Sequence, residues 1–255
     1  MKLFWLIPAL ILILFVKLSL EKFDNTMREQ DARALFKEAR KSDNENTEAT
    51  ILLAIEKLSY SQLFDKKALV NSSLVANYYR ILAGNLSVAD NQSDVDELLD
   101  TEVLADVDNR SDADKQRDAN KSKEYYRQAK LSFLDALKIQ PTKSRNWALL
   151  AMTKWDLQEK DDDYLRYIMN AHRYGQHEPQ THIKLVQLGA KILSNDVTMP
   201  SELKPILLHH LTFGMSHSKS APSILYGIIR NGKIRDGFCS WIEENETVRT
   251  KLKCV

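Results

Sequence analysis

The stretch KSKEYYRQAKLSFLDALKIQP (Lys121–Pro141), followed by SRNWALLAMTKWDLQEKDDDYLRYIMNAHRYGQHEPQTHIKLVQLG (Ser144–Gly189), decides the fold. Apolar and small residues recur in it at helical spacing between short polar breaks. Tyr126, Ala129, Phe133, Ala136, Leu137 and Ile139 line one side until Pro141, which has no amide proton to donate and stops the run. A second helix is expected from about Ser144, with Trp147, Leu150, Ala151 and Trp155 along one face. Small Ala151 lets a neighbouring helix approach. After a break at Lys160–Asp162 comes a stripe of Leu165, Ile168, Met169 and His172, with Gly175 as the expected C-cap. Glu178-Pro179 opens a further helix, because proline is tolerated in a first turn whose amides lack partners anyway.

Working outward, composition points the same way. The chain has 255 residues, 44% of them hydrophobic, enough to bury a core. Only 7 Gly and 6 Pro disfavour a turn-rich sheet protein, so an all-α fold is expected. A net charge of +1 offers no field suited to neutralising phosphates, which argues against nucleic acid as a partner.

Leu3 to Val16 is free of charge, and Leu3, Trp5, Leu10, Leu14 and Val16 mark it as a membrane anchor. With Lys17 snorkelling and Leu18 to Leu20 added, it approaches the ~20 residues a span needs. The sequence KLSLEKF is a poor cleavage site, so an uncleaved single-pass anchor is expected, with the rest of the chain exported. Lys17, Lys22, Arg28 and Arg33 after the span oppose that orientation.

The expected organisation is an anchor over residues 1–22, a helical segment over 25–87, an acidic flexible linker over 88–120, a helical domain over 121–245 and a polar tail over 246–255. In the linker, DVDNRSDAD spaces four aspartates like a calcium loop. The glycine and glutamate such a loop needs at its sixth and twelfth positions are Ser111 and Arg117, so a solvated acidic loop is expected. Leu203, Ile206, Leu207 and Leu211 form one later stripe, and Ile224, Leu225, Ile228 and Ile229 another. Cys239 and Cys254 lack metal-ligand spacing. In an oxidising compartment they could close one loop, and otherwise they are free thiols.

No catalytic motif is present. GxSxG, HExxH and the zinc-deaminase pattern are all missing, and no cofactor or metal is expected. His172, His177 and His182 recur every five residues across a break, not at the i, i+4 spacing of ligands on one helical face, and are expected to be satisfied or exposed. Asp161 to Asp163 are expected to cap a helix rather than cleave a glycan. Trp147 and Trp155 are expected in the core rather than stacked on sugar.

Ala129, Phe133, Ala136 and Pro141 sit at the spacing of the second helix of a tetratricopeptide repeat, and Trp147, Leu150 and Ala151 resemble the opening of the next. This resemblance implies stacked antiparallel helical hairpins, a TPR-like α-solenoid behind one N-terminal transmembrane helix. Lys154 departs from it, standing where a repeat usually carries an aromatic. WALLAMTKWDL, NAHRYGQHEPQTHIKLVQLGAKIL and LLHHLTFGMSHSKSAPSILYGIIRNGKIRDGFC together resemble the VpsP-type polysaccharide biosynthesis proteins over roughly Ser144 to Cys239, with departures at Gln176 and near Ile192. That resemblance implies a non-enzymatic accessory protein of exopolysaccharide assembly, anchored in the bacterial inner membrane with its C-terminal domain in the periplasm, whose partners are envelope or exopolysaccharide-assembly proteins. The competing expectations are a periplasmic glycan-binding or glycan-cleaving protein and a cytoplasm-facing adaptor.

Overall fold

The computed structural model describes residues 6–39, 47–62, 72–88, 112–195, 200–217, 221–242 and 246–254. All regular structure among them is helical: α1 Leu6–Ala39, α2 Thr47–Gln62, α3 Ser72–Val88, α4 Asp112–Ile139, α5 Ser144–Asp156, α6 Asp162–Gly175, α7 Pro179–Ser194, α8 Leu203–His217, α9 Pro222–Ile228, α10 Gly232–Cys239 and α11 Glu246–Leu252. The chain divides into two compact units, Met1–Ala136 and Leu137–Val255.

In the first unit α1 and α2 form a hairpin, and α3 packs on α2. Ala32, Ala39 and Ala54 are fully or nearly fully buried and set the close approach, while Ile51, Ile55, Leu58, Val75, Tyr78 and Leu82 fill the space between. The Phe36 and Tyr78 rings stack at 3.9 Å. On α4, Ser122 Oγ donates to the Ala83 carbonyl at 2.9 Å, and Lys121 and Tyr125 both reach Glu48 of α2.

One expectation changes here. The acidic linker ends earlier than residue 120, because α4 begins at Asp112. Asp112 and Asp114 lie in its first turn, where carboxylates stabilise the positive end of the helix dipole. The calcium reading loses half its aspartates to this helix, while Asp106 and Asp108 lie outside the described residues.

The expected anchor falls partly outside the described residues. Among the described residues no helix is long and apolar enough to cross a membrane. Leu3 and Trp5 lie outside them. Leu10 and Leu14 are on α1, and Val16 is exposed. Of the uncharged run Leu3 to Val16, α1 contains Leu6 to Val16. Lys17, Glu21 and Lys22 then interrupt it, and the helix continues without a break to Ala39 rather than ending with the apolar stretch.

In the second unit α5 packs on both α6 and α7, α7 packs on α8, and α9 and α10 cover α7. A helix enclosed from several sides is buried all round, so α5 hides not one stripe but the whole run from Ala148 to Trp155. The buried face of α6 is Tyr164, Tyr167, Ile168, Ala171 and Gly175, rotated from the expected stripe. Met169 is exposed and Leu165 only partly buried. In α8 the expected Leu203, Leu207 and Leu211 are fully buried.

The tail is folded. Val248 and Leu252 of α11 are buried in the core built by α7 to α10. Cys239 and Cys254 form a disulfide, with Cα atoms 5.5 Å apart, that ties α11 to the end of α10.

Candidate functional site: a buried histidine cluster

Three helices of the second unit bring histidines to one place. His172 lies in the last turn of α6, His182 in the first turn of α7, and His209 and His210 in the middle of α8. His210 follows Leu203 and Leu207 on the inward face of α8, by steps of four and three residues. His182 follows Pro179 by three residues in a helix capped by Glu178. Gly214 sits one turn beyond His210. A Cβ there would stand 3.1 Å from His182 Cβ and 2.7 Å from Leu225 Cδ1, so the glycine lets α7 and α8 come close enough for the rings to meet.

The rings form a chain. His182 Nδ1 and His210 Nδ1 are 2.8 Å apart, and His210 Nε2 and His172 Nδ1 are 3.2 Å apart. A neutral imidazole has one donor and one acceptor. His210 therefore donates to one neighbour and accepts from the other, and the protons of the chain point one way along it. His209 stands edge-on to both His172 and His210, with centroids at 5.1 and 5.3 Å. Phe213 closes the side, 5.0 Å from His177, 5.3 Å from His182 and 5.7 Å from His209.

His182 and His210 are completely buried, and the Nε2 atoms of His182 and His209 are buried without a hydrogen-bond partner. Burial pushes the His210 imidazole down to about 2, helped by His182, His172 and His209. Burial likewise lowers His182 to about 4, with His209 and His177 adding repulsion and Glu178 opposing them. His172 is lowered by burial and then by His209. His172, His182 and His210 are thus held toward their neutral forms. Among the described residues no group of three or more His, Cys, Asp or Glu is disposed to hold a metal ion.

The other buried polar groups serve the packing around it. Ser144 Oγ hydrogen-bonds to the Glu178 carboxylate and lies 2.9 Å from Thr181 Oγ1, which donates to the same carboxylate at 3.1 Å. Ser144 and Thr181 are buried, which removes this serine from the reach of a substrate. Gly175, expected as a left-handed cap, has no positive φ; the cap of α6 is Gln176, in right-handed helical conformation. Its glycine answers to space instead: a Cβ would fall 2.6 Å from both Ser144 Cβ and Thr181 Cγ2.

Lys154 is 4% exposed, and its Nζ sits 2.6 Å from both Asp161 carboxylate oxygens and 3.6 Å from Glu159. Burial alone would lower the Lys154 ammonium, but Asp161 and then Glu159 outweigh it and raise the group. Asp161 also caps α6 by accepting from the Tyr164 amide at 3.0 Å, the capping role expected for the aspartate run.

Of the residues singled out in the sequence, Ala129, Phe133 and Ala136 are buried in the first unit, and Leu150 and Ala151 in the second. Pro141 is exposed and acts as a helix stop, not a core residue. Trp147 is only partly buried: its Nε1 donates to the Pro141 carbonyl at 2.6 Å, and its ring meets Tyr167 at 5.5 Å. Trp155 is buried, with Lys160 Nζ over its ring at 4.0 Å. A ring so covered is no platform for a sugar.

The histidine cluster is not legible from spacing along the chain, because the rings of His172, His182 and His210 meet across helices. The signal available was the pair His209-His210 inside the apolar run LLHHL, which forces at least one imidazole toward the core. No protein-family model, no curated protein and no solved structure matches the chain.

Proposed function

We propose that the chain is a non-enzymatic, membrane-held helical scaffold that works by protein–protein interaction in bacterial exopolysaccharide assembly. The observation that carries its placement on the exported side is the Cys239–Cys254 disulfide, since such bonds persist where the medium is oxidising. The apolar segment from Leu3 to Val16 would hold the chain at the inner membrane, raising its local concentration beside membrane partners. The helical packing of α5 to α8 supports a TPR-like stack, whose use is a broad surface rather than a reaction centre. The resemblance of Ser144 to Cys239 to VpsP-type proteins supplies the polysaccharide context.

Several of the buried polar groups fit this assignment, because they join helices. Ser144 and Thr181 link α5 to α7 through Glu178, and Lys154 links α5 to Asp161 at the start of α6. The reading is tested by crosslinking in intact cells through a photoreactive residue at exposed Met169 or Tyr174. Recovery of an envelope or polysaccharide-assembly protein is the expected result. Exclusive recovery of cytosolic proteins would refute it.

A further inference from the structure

We propose that the His172–His210–His182 network is an acid-sensitive latch, holding α6, α7 and α8 together while its rings are neutral and releasing α8 when they take up protons. The inference stands on geometry. Three helices meet through ring-to-ring hydrogen bonds at 2.8 and 3.2 Å, two of the rings are wholly removed from water, and His209 is packed against the same junction. A neutral ring chain satisfies its inner nitrogens. One added proton on His210 converts both of its nitrogens into donors, and a second on either neighbour places two cations within about 3 Å in a buried site. The unpartnered Nε2 atoms of His182 and His209 have no carboxylate or carbonyl waiting to accept from them.

The titratable groups acting on the junction come from every helix that forms it. They are His172 from α6, His177 and Glu178 from the turn before α7, His182 from α7, and His209 and His210 from α8. Glu178 is the one acidic group in that set, and it is shared with Ser144, Thr181 and, at 3.9 Å, Lys143 of the turn before α5. Its capacity to balance a new imidazolium is therefore limited.

The direction with pH follows from linkage. A histidine whose folded value is depressed contributes stability that is complete above its unfolded value near 6.5 and is lost as pH falls toward the folded value. Between pH 6.5 and 5.5 most carboxylates stay ionised, so the imidazoles dominate the change. Each of His182 and His210 then raises the opening constant about fivefold, and the two together about thirtyfold. Opening uncovers the apolar faces formed by Ile183, Val186 and Leu211.

The test is amide hydrogen exchange of the full chain in mild detergent at pH 6.5 and 5.5, corrected for intrinsic exchange rates. Protection of α6 to α8 is expected to fall about thirtyfold. The first unit, which contains no histidine, serves as the internal reference and is expected to change less than about twofold. Replacing His182→Gln keeps a hydrogen-bonding side chain that does not titrate and is expected to reduce the fall to about fivefold. Should that variant already be open at pH 6.5, the wild-type ratio between the two units still decides. Equal loosening of both units, or unchanged protection of α8 at pH 5.5, overturns the latch. A gain in protection on adding zinc at pH 6.5 overturns it in favour of a metal site.

Discussion

Single residues show that the same type can be dispensable at one position and required at another. Gly84 lies inside α3 with no atom within 4 Å of where a Cβ would be, whereas Gly175 faces Ser144 and Thr181 at 2.6 Å. Gly84→Ala is expected to stabilise the first unit by about 0.5–1 kcal/mol, by removing backbone freedom from the unfolded chain. Gly175→Ala is expected to destabilise the second by about 1–3 kcal/mol, because the atoms it meets belong to short, hydrogen-bonded side chains that cannot swing away. Urea unfolding midpoints with unchanged slopes would measure both, and equal effects of one sign would contradict the packing described. Lys154 and Asp161 give a second contrast. Lys154→Met removes a buried charge while leaving its stem volume, and is expected to lie within ~1 kcal/mol of the parent. Asp161→Ala strips the cap of α6 and leaves the ammonium with Glu159 at 3.6 Å, and is expected to cost about 2 kcal/mol. The order of the two midpoints is the check.

At the scale of elements, α11 shows how a polar segment is held. The stretch ENETVRTKLKCV offers only two strongly apolar side chains before its cysteine, Val248 and Leu252, and both are fully used in the core. Arg249 donates to the Ile242 carbonyl at 2.9 Å, and Lys251 reaches the Met215 carbonyl of α8 at 3.0 Å. Seven residues make too short a helix to persist alone in water, so the disulfide matters. Its closed loop spans a separation of 15 residues, for which loop entropy predicts ~3 kcal/mol. A Cys239→Ser, Cys254→Ser double variant is expected to lose about 2–4 kcal/mol in the second unit and to release α11 to rapid hydrogen exchange. Retained protection of Val248 to Leu252 would show that packing alone suffices. Among the longer helices, starts and stops were legible because they are local chemistry: Pro141, Asp161 and Glu178-Pro179 each act on the turn they occupy. Which face each helix buries was less legible, since α5 is covered by α6 and α7 together and a single-stripe expectation cannot represent that.

For the molecule as a whole, location and connection are the open variables. Under the scaffold proposal, an export-dependent phosphatase fused after Val255 is expected to be active in bacterial cells, and a thiol-reactive polymer is expected to label Cys239 and Cys254 only after reduction. An inactive fusion together with free thiols in untreated cells would move the chain to the cytosolic side. The two compact units differ in how they respond to their surroundings. The first carries no histidine, while the second holds the cluster and the disulfide, so reductant, and acid between pH 6.5 and 5.5, are expected to act mainly on the second.

Periodicity and punctuation by themselves determined that this chain is helical and where α5, α6 and α7 begin, because propensity, capping and proline act within a few residues. Those same rules placed Ala129, Phe133, Leu150 and Ala151 in the interior. Tertiary structure alone decided that Gly175 and Gly214 are points of close contact, that Lys154 is buried, and that four histidines from three helices share one site. His172 and His210 are 38 residues apart, and His182 and His210 are 28 apart. Such juxtapositions depend on the angle and distance at which whole helices pack, set by the summed fit of many side chains rather than by any local signal.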